Sequence, residues 1–433
     1  MPAVALQSLW SVTAPPGPQT APLGASLNTQ VLVIGAGYTG LSAALHLAEA
    51  GRDVAVLDSL EIGACASGLN GGQVIPGVKH DPDTLESLFG TSVGAQLIRT
   101  VAAGPDLVFE LIARLGIACE VTRSGWIQPA TSEAALAEQA QRVAQWQRRG
   151  AQVEMLSRAQ VGQLTGSARY CGGLLDRRGG TVQPLAYVRG LAHAALRAGV
   201  RIFTYSPALK LTRAAAGFEV TTANGSIKAP LVIIATNAYT GALTGALTGA
   251  LRRSIVRVPS FQVATRPLSA ALRATILPGG QSASDTWRLL RYFRLDASGR
   301  FVLGARGTFA AAPTTRALRH HYRAVAEIYP QLAEVGFEYH WGGFVAMTQD
   351  HLPHLHELAP GLLTGLGYNG RGVAMATVMG RLLARRALGA LPTDLGFPVT
   401  PLRAMPLHAF SGLGVRAMIQ YLRLADAVSR SRR

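Results

Sequence analysis

A glycine-punctuated turn near the N-terminus limits what this chain can become. The segment "VLVIGAGYTGLSAALHLAEAGRDVAVLD", residues 31–58, sets Gly35, Gly37 and Gly40 between two apolar runs and ends on Asp58. Residues 29–34 read as a buried parallel strand. Leu41, Leu45 and Ala48 recur at helical spacing, Gly51 stops the helix, and residues 54–57 form a second strand. The result is a βαβ unit in register with GxGxxG. In such a unit the first glycine permits the tight turn, the second lets a pyrophosphate reach the backbone, and the third lets helix and strand pack closely. The helix start offers free N–H groups and the positive end of its dipole to phosphate. Asp58 stands where an acid can bond ribose hydroxyls, and its charge disfavours a 2′-phosphate, so NADP is not the expected ligand of this unit.

The choice between NAD and FAD rests on two further stretches. After the acid comes "SLEIGACASGLNGGQVIPG", with Ser67, Gly68, Asn70, Gly71, Gly72 and Gln73. Its glycines let backbone lie flat against a large ligand. An NAD domain would go on to another helix and strand; this loop looks like one that runs along an extended FAD toward its ring. A second GxGxxG occurs at Gly365, Gly367 and Gly370, again between a short strand and a helix. No strand with an acid follows it. We read this helix start as facing the pyrimidine end of a flavin, where negative charge accumulates on reduction. Two helix N-termini, one at each pole of a long ligand, point to FAD.

The fold class expected is α/β, α+β when taken whole: a doubly wound FAD-binding domain with a parallel sheet, interleaved with an antiparallel-sheet substrate domain. At 433 residues two domains are expected, and 48% hydrophobic with 15% charged residues suits a well-buried chain. Residues 1–28 read as a Pro-rich arm. Residues 29–84, 150–255 and 342–395 are assigned to the FAD-binding domain, and 85–149 with 256–341 to the substrate domain. Residues 396–433 form a tail with a basic amphipathic helix, which either packs on its own domain or touches a membrane surface. The repeat "TGALTGALTGAL" at 240–251 suggests close helix packing or a surface loop.

Net charge is +17, carried almost wholly by arginine, since Lys79, Lys210 and Lys228 are the only lysines. Such a surface could attract anions, but no zinc knuckle or RNA-binding signature occurs, so nucleic acid is not an expected partner. Cys65, Cys119 and Cys171 include no CxxC, which fits a reducing compartment and gives no metal site. His351, His354 and His356 lack supporting carboxylates, so no metal is expected. No charged leader precedes an apolar run, and no apolar stretch reaches the ~20 residues that span a bilayer. The expected location is the cytoplasm.

The pieces "VIGAGYTGLSAALHLAEAG", "ASGLNGGQ", "GGLLDRRGGTVQPLAY", "VIIATNAYTG", "YFRLDASGRFVLGARG" and "GYNGRGVAMATVMGRLLA" occur in that order across roughly residues 30–390. With them the chain resembles the FAD-dependent amine and amino-acid oxidoreductases of the D-amino-acid oxidase/glycine oxidase class. Within that class it is most similar to the gamma-glutamylputrescine oxidoreductases. Two departures stand out. Leu69 occupies a loop position where the family usually carries arginine, and "PHLHE" at 353–357 replaces the commoner small residue after the proline.

The resemblance implies FAD lying along Gly35, Gly37, Tyr38, Thr39 and Gly40, with Asp58 and Ser59 at the ribose. It puts Ser67, Gly68, Asn70, Gly71, Gly72 and Gln73 along the middle of the cofactor. Ala208 falls near the adenine and Thr236 with Asn237 near the phosphates. Gly370, Arg371, Gly372 and Val373 cap the O2 pole of the ring. The implied reaction is hydride transfer to flavin from the carbon next to a neutral amine, followed by imine hydrolysis. The substrate is a small amine or amino acid, and the acceptor is oxygen or a quinone-type carrier. A D-amino-acid or sarcosine/glycine-type oxidase or dehydrogenase is the alternative. Catalytic candidates are Arg371 for the reduced ring, Arg294 or Arg291 beside Tyr292 for a substrate carboxylate, and Trp341 as a pocket wall.

Overall fold

Val31–Ile34 and Val54–Leu57 are runs of β-branched and aliphatic residues in which every side chain is buried. A strand buried on both faces belongs inside a parallel sheet covered by helices. In the computed structural model, which describes residues 7–240, 243, 248–307, 315–406 and 408–431, these two strands are the centre of a six-stranded sheet. Its order is His354–Ala359, Leu362–Leu366, Leu231–Ile234, Val31–Ile34, Val54–Leu57 and Arg201–Phe203. All neighbours pair parallel except the first two. Each fully buried Val, Leu or Ile contributes about 1.5–3 kcal/mol.

The helices Tyr38–Glu49, Pro184–Arg197 and Gly372–Ala387 share one large apolar core with this sheet. Gly380 lets the first and last of them touch, because a Cβ there would lie 2.5 Å from both Ser42 Cβ and Thr39 O. The start of the first helix therefore packs against the middle of the last.

The second layer is an eight-stranded sheet: Phe337–Met347, Val256–Pro267, Arg300–Arg306, Arg291–Leu295, Ser282–Ser284, Trp126–Ala130, Gly172–Asp176 and Val153–Ser157. It is antiparallel apart from Ser282–Ser284 against Trp126–Ala130. A smaller four-stranded sheet, from Leu27–Asn28 and Lys210–Ala229, covers one end of the parallel sheet.

Three expected boundaries are corrected. Val153–Ser157 and Gly172–Asp176, and the strand that ends at Met347, belong to the eight-stranded sheet, although 150–255 and 342–395 were assigned to the cofactor domain. Gly172–Asp176 is buried at every position, as the parallel strands are, so only pairing decides. The helices Thr91–Ala102 and Gly104–Leu115, assigned to the substrate domain, pack into the core around the parallel sheet. The N-terminal arm is not a loose extension: Leu9–Thr13 is a helix capped by Ser8, with Leu9 and Trp10 wholly buried.

The tail helix Ser411–Ser431 is present; Ile419 is buried while Leu413, Met418 and Tyr421 are exposed. No helix among the described residues is long and apolar enough to cross a membrane. Half of the "TGALTGALTGAL" repeat, residues 241–242 and 244–247, lies outside the described residues.

Candidate active site

One elongated chamber of about 440 Å³ runs from the C-terminal ends of the parallel strands to the inner face of the eight-stranded sheet. That is where open α/β sheets bind their ligands, and the volume falls among those of cofactor and substrate sites.

The first glycine turn closes one end. Gly35 has φ +108°, and a Cβ there would meet Ala235 O at 3.0 Å. Gly37 caps the following helix with no side-chain bond, leaving the helix start open to the chamber. A Cβ on Gly37 would lie 2.9 Å from Ser67 Oγ, which accepts from Tyr38 N–H at 3.0 Å. The Asp58 carboxylate accepts from Ala36 N–H at 2.7 Å and Leu60 N–H at 3.0 Å. Burial raises its pKa despite those bonds. The acid thus braces the turn and faces the chamber.

The loop after Cys65 crosses the middle of the chamber. Asn70 holds it together: its Nδ2 donates to Ser67 O at 2.9 Å and its Oδ1 accepts from Gly72 N–H at 2.8 Å. Gln73 fixes it to the other sheet, donating to Ala283 O at 2.9 Å.

The second glycine turn closes the far end. Gly367, Asn369 and Gly370 have φ of +77°, +51° and +87°. That run of left-handed residues reverses the chain sharply between strand and helix. The helix Gly372–Ala387 starts at Arg371 without a side-chain cap, so its free N–H groups also face the chamber.

Two uncapped helix starts and two glycine turns, crowded at Gly35 and Gly367, make a cradle for a long anionic ligand. Gln262, on the chamber wall, donates its Nε2 N–H to Leu69 O and so ties the loop to the eight-stranded sheet. A profile of the FAD dependent oxidoreductase family matches residues 30–386. The chain belongs to that family.

Over 373 residues it is 34% identical to a probable oxidoreductase, OrdL, of Haemophilus influenzae, which covers 86% of this chain and 85% of the relative. Over 368 residues it is 33% identical to gamma-glutamylputrescine oxidoreductase of Escherichia coli, covering 85% of each. Its fold matches the crystal structure of glycine oxidase from Geobacillus kaustophilus with a TM-score of 0.71 and 22% identity, covering 88% of this chain and 100% of that one.

In this FAD-dependent oxidoreductase most of the expected cofactor residues line the chamber: Gly35, Gly37, Tyr38, Thr39, Asp58, Ser59, Ser67, Asn70, Gly71, Gln73, Ala208, Thr236, Asn237 and Gly370 to Val373. Gly40, Gly68 and Gly72 are corrections, because they pack behind the wall. A Cβ on Gly40 would fall 1.8 Å from Gly35 O, on Gly68 2.1 Å from Gly63 O, and on Gly72 2.1 Å from Val182 O. Their role is to let the wall close up.

The catalytic candidates divide. Tyr292 lines the chamber, its ring packed so close to Gly71 that a Cβ there would meet it at 2.7 Å. Its hydroxyl shares a hydrogen bond with Ser260 Oγ at 2.9 Å, and burial pushes its pKa up to about 12. Arg371 lines the chamber, donates to Pro76 O and lies over the Trp126 ring. Burial lowers its pKa to about 10, which leaves it charged near neutrality.

Arg294, Arg291 and Trp341 are corrections. Arg294 is buried behind the loop, donates to Val182 O at 2.8 Å and lies over Trp10. Arg291 pairs with Glu327 at 2.7 Å. Trp341 is 2% exposed, packs edge-on against Trp10 and donates to Leu69 O at 3.1 Å. These three support the wall from outside. Side chains on one strand alternate faces, so Tyr292 looks inward while Arg291 does not.

Leu69 turns its side chain toward Gly343 on the chamber wall, so no cation stands at that position of the loop. Lys79, Arg306, Ser260 and Trp126 also line the chamber, and sequence reasoning missed them as site residues. Only Lys79 carried a signal: it is one of three lysines among 41 basic residues and closes the glycine-rich stretch. His354 and His356 are engaged with Asp350 and the Thr400 carbonyl. No group of three metal-binding side chains occurs among the described residues.

Proposed function

We propose that this chain oxidises an amine, with gamma-glutamylputrescine or a related N-substituted amino acid as substrate. The observation that carries the reading is the continuity of one chamber from the Gly35–Asp58 cradle to a pocket walled by Trp126, Ser260 and Tyr292. Similarity to gamma-glutamylputrescine oxidoreductase along 85% of the chain supports the substrate class. FAD, when bound, accepts a hydride at N5 from the carbon next to a neutral amine.

The protein's own part is placement and charge. Tyr292 stays a neutral phenol, so it shapes the pocket and donates or accepts a hydrogen bond without acting as a base. The uncapped helix start at Gly372, with Arg371 beside it, sets positive potential at the pole where reduction adds negative charge. Water entering the pocket hydrolyses the imine product to a carbonyl compound and an amine or ammonia. Oxygen or a quinone-type carrier then takes the electrons. With three free cysteines, we place the reaction in the cytoplasm.

The test is an anaerobic visible spectrum of the purified protein before and after addition of gamma-glutamylputrescine. Bleaching of the flavin band supports the reading. A band that persists overturns the substrate, and D-amino acids and N-methyl amino acids are then tried as reductants.

A further inference from the structure

A helix that packs on its own protein needs one apolar face; the tail helix Ser411–Ser431 has two. Val415, Ile419 and Leu422, at steps of four and three, turn toward the protein: Ile419 is buried and the other two are half-buried. Leu413, Ala417 and Tyr421 recur at steps of four on the opposite side, and all three are exposed. Phe410, in the turn that leads into the helix, extends this second stripe. Phe410, Leu413, Met418 and Tyr421 are 55–65% exposed, and they are four of the twelve large apolar side chains so exposed among the described residues. Such a concentration within twelve consecutive residues marks an interaction surface, whereas apolar side chains exposed singly need no explanation.

The charge around the stripe is of one sign. From residue 401 to residue 433 the sequence holds six arginines and one acid, Asp426. The approach to the helix is anchored on the segment 253–255: Met405 N–H donates to Arg253 O at 2.8 Å, and His408 Nε2 donates to Ile255 O at 2.9 Å. Arg252, Arg253 and Arg257 on that segment are exposed, and residues 248–260 include no acid. Arg403 and Arg416 are exposed as well.

This combination selects the partner. A second copy of the chain would bring five arginines against five, and like charges placed together oppose docking. An anionic lipid surface meets both features, since its headgroups attract arginine and its acyl boundary takes up apolar side chains.

We propose that the outer face of the tail helix docks on an anionic lipid surface, with Phe410, Leu413 and Tyr421 inserted and the exposed arginines against the phosphates. The helix lies in the plane of the surface and holds the protein by its inner face, Val415, Ile419 and Leu422. The strand that follows the anchor, Val256–Pro267, goes on to line the chamber at Val258, Pro259, Ser260 and Gln262. Ser260 is five residues beyond Ile255, roughly 17 Å along an extended strand, so docking brings the chamber close to the lipid. The proposal does not depend on the amine-oxidation reading.

The experiment is co-sedimentation of the FAD-loaded full chain with vesicles of phosphatidylcholine alone, and of phosphatidylcholine with about one-third phosphatidylglycerol. Wild type should bind the anionic vesicles at least about tenfold more tightly than the neutral ones, and about 1 M salt should abolish the difference. Leu413→Ser combined with Tyr421→Ser leaves the net charge at +17, so attraction through charge alone persists in that variant. It should still lose at least about tenfold in binding, with unchanged flavin content and melting temperature. Arg403→Gln should weaken binding about fivefold. Leu391→Ser removes an apolar side chain that is equally exposed but lies outside the tail helix, and it should bind as wild type does.

No binding, equal binding to both kinds of vesicle, binding that the double substitution leaves intact, or the same loss in Leu391→Ser overturns the proposal. So does a wild type that is dimeric by light scattering without lipid and monomeric once Leu413 and Tyr421 are replaced, which gives the face to a second copy. None of these results touches the amine reading, which stands or falls on bleaching of the flavin band.

Discussion

The two ends of the chamber are built by different physics. At the glycine-turn end the wall is backbone: amides, carbonyls and glycines from a short stretch of chain, with the Asp58 carboxylate held by two N–H groups. At the substrate end the wall is side chains brought together from strands far apart in sequence, and two of its cations have no partner. The first end is completed by folding itself. The second stores an electrostatic cost. Removing a cation from the substrate end and crowding the backbone at the glycine-turn end should therefore move stability in opposite directions.

The largest effect is expected at Gly40. A Cβ there would lie 1.8 Å from Gly35 O and 3.1 Å from Val33 Cγ1. Both neighbours belong to the same tight unit, so neither can yield without opening the turn. Gly40→Ala should cost about 3 kcal/mol, the upper end for overpacking, and should lose bound FAD. Thermal unfolding and the ratio of flavin to protein absorbance measure the two. If the variant keeps a wild-type melting temperature and a full flavin load, the glycine-turn end is not the rigid element described above.

A smaller effect of opposite sign is expected at Lys79. Its ammonium titrates near 7 in the folded chain and near the ordinary lysine value of 10.5 once unfolded. Between those values the unfolded chain binds more protons, so wild-type stability contains a contribution that rises with pH from about 7 upward. Below neutrality the penalty of a charge crowded by Arg371, Arg306 and Arg142 is fully present. Lys79→Met removes that penalty. Its advantage over wild type in denaturant unfolding should be greatest at or below pH 7 and shrink toward pH 10. A variant less stable than wild type at every pH would show that Lys79 is a structural residue with an unseen partner.

The same contrast explains what the sequence could disclose. The glycine-turn end was legible because βαβ geometry is local: Gly35, Gly37 and Asp58 lie within 24 consecutive residues, and each must be what it is for the turn to close. The second turn at Gly365–Gly370 was legible for the same reason. The substrate end was not. Arg291, Tyr292 and Arg294 share one strand and look alike in sequence, yet only Tyr292 faces the chamber. Arg291 lies on the opposite face, and Arg294, on the same face as Tyr292, is covered by the loop at Gly72; strand pairing and loop packing are long-range properties. Trp10 was hidden in the same way. In a Pro-rich stretch it resembled part of a loose arm, but it donates to Asn70 O at 2.8 Å and packs against Trp341 and Arg294 behind the loop. Lys79 and Arg306 are 227 positions apart in sequence, and no local pattern joins them.

The smallest effect is expected at Tyr292, where shape and chemistry can be separated. The ring fills space that Gly304 and Gly71 leave open; a Cβ on Gly304 would come within 2.0 Å of it. The hydroxyl adds one hydrogen bond to Ser260, which also reaches Ala305 O. Tyr292→Phe keeps the ring and removes that bond, so it should cost about 1 kcal/mol of stability and leave flavin content unchanged. With its phenol pushed up to about 12 by burial, Tyr292 supplies no base near neutrality, and kcat/KM should fall by less than about tenfold, equivalent to 1.4 kcal/mol. The pH profile of kcat/KM should keep its shape. A fall of a hundredfold or more, or a vanished alkaline limb, would make the hydroxyl a reacting group. The substrate end would then contribute chemistry as well as shape and charge, and the division between its two kinds of wall would have to be redrawn through Tyr292.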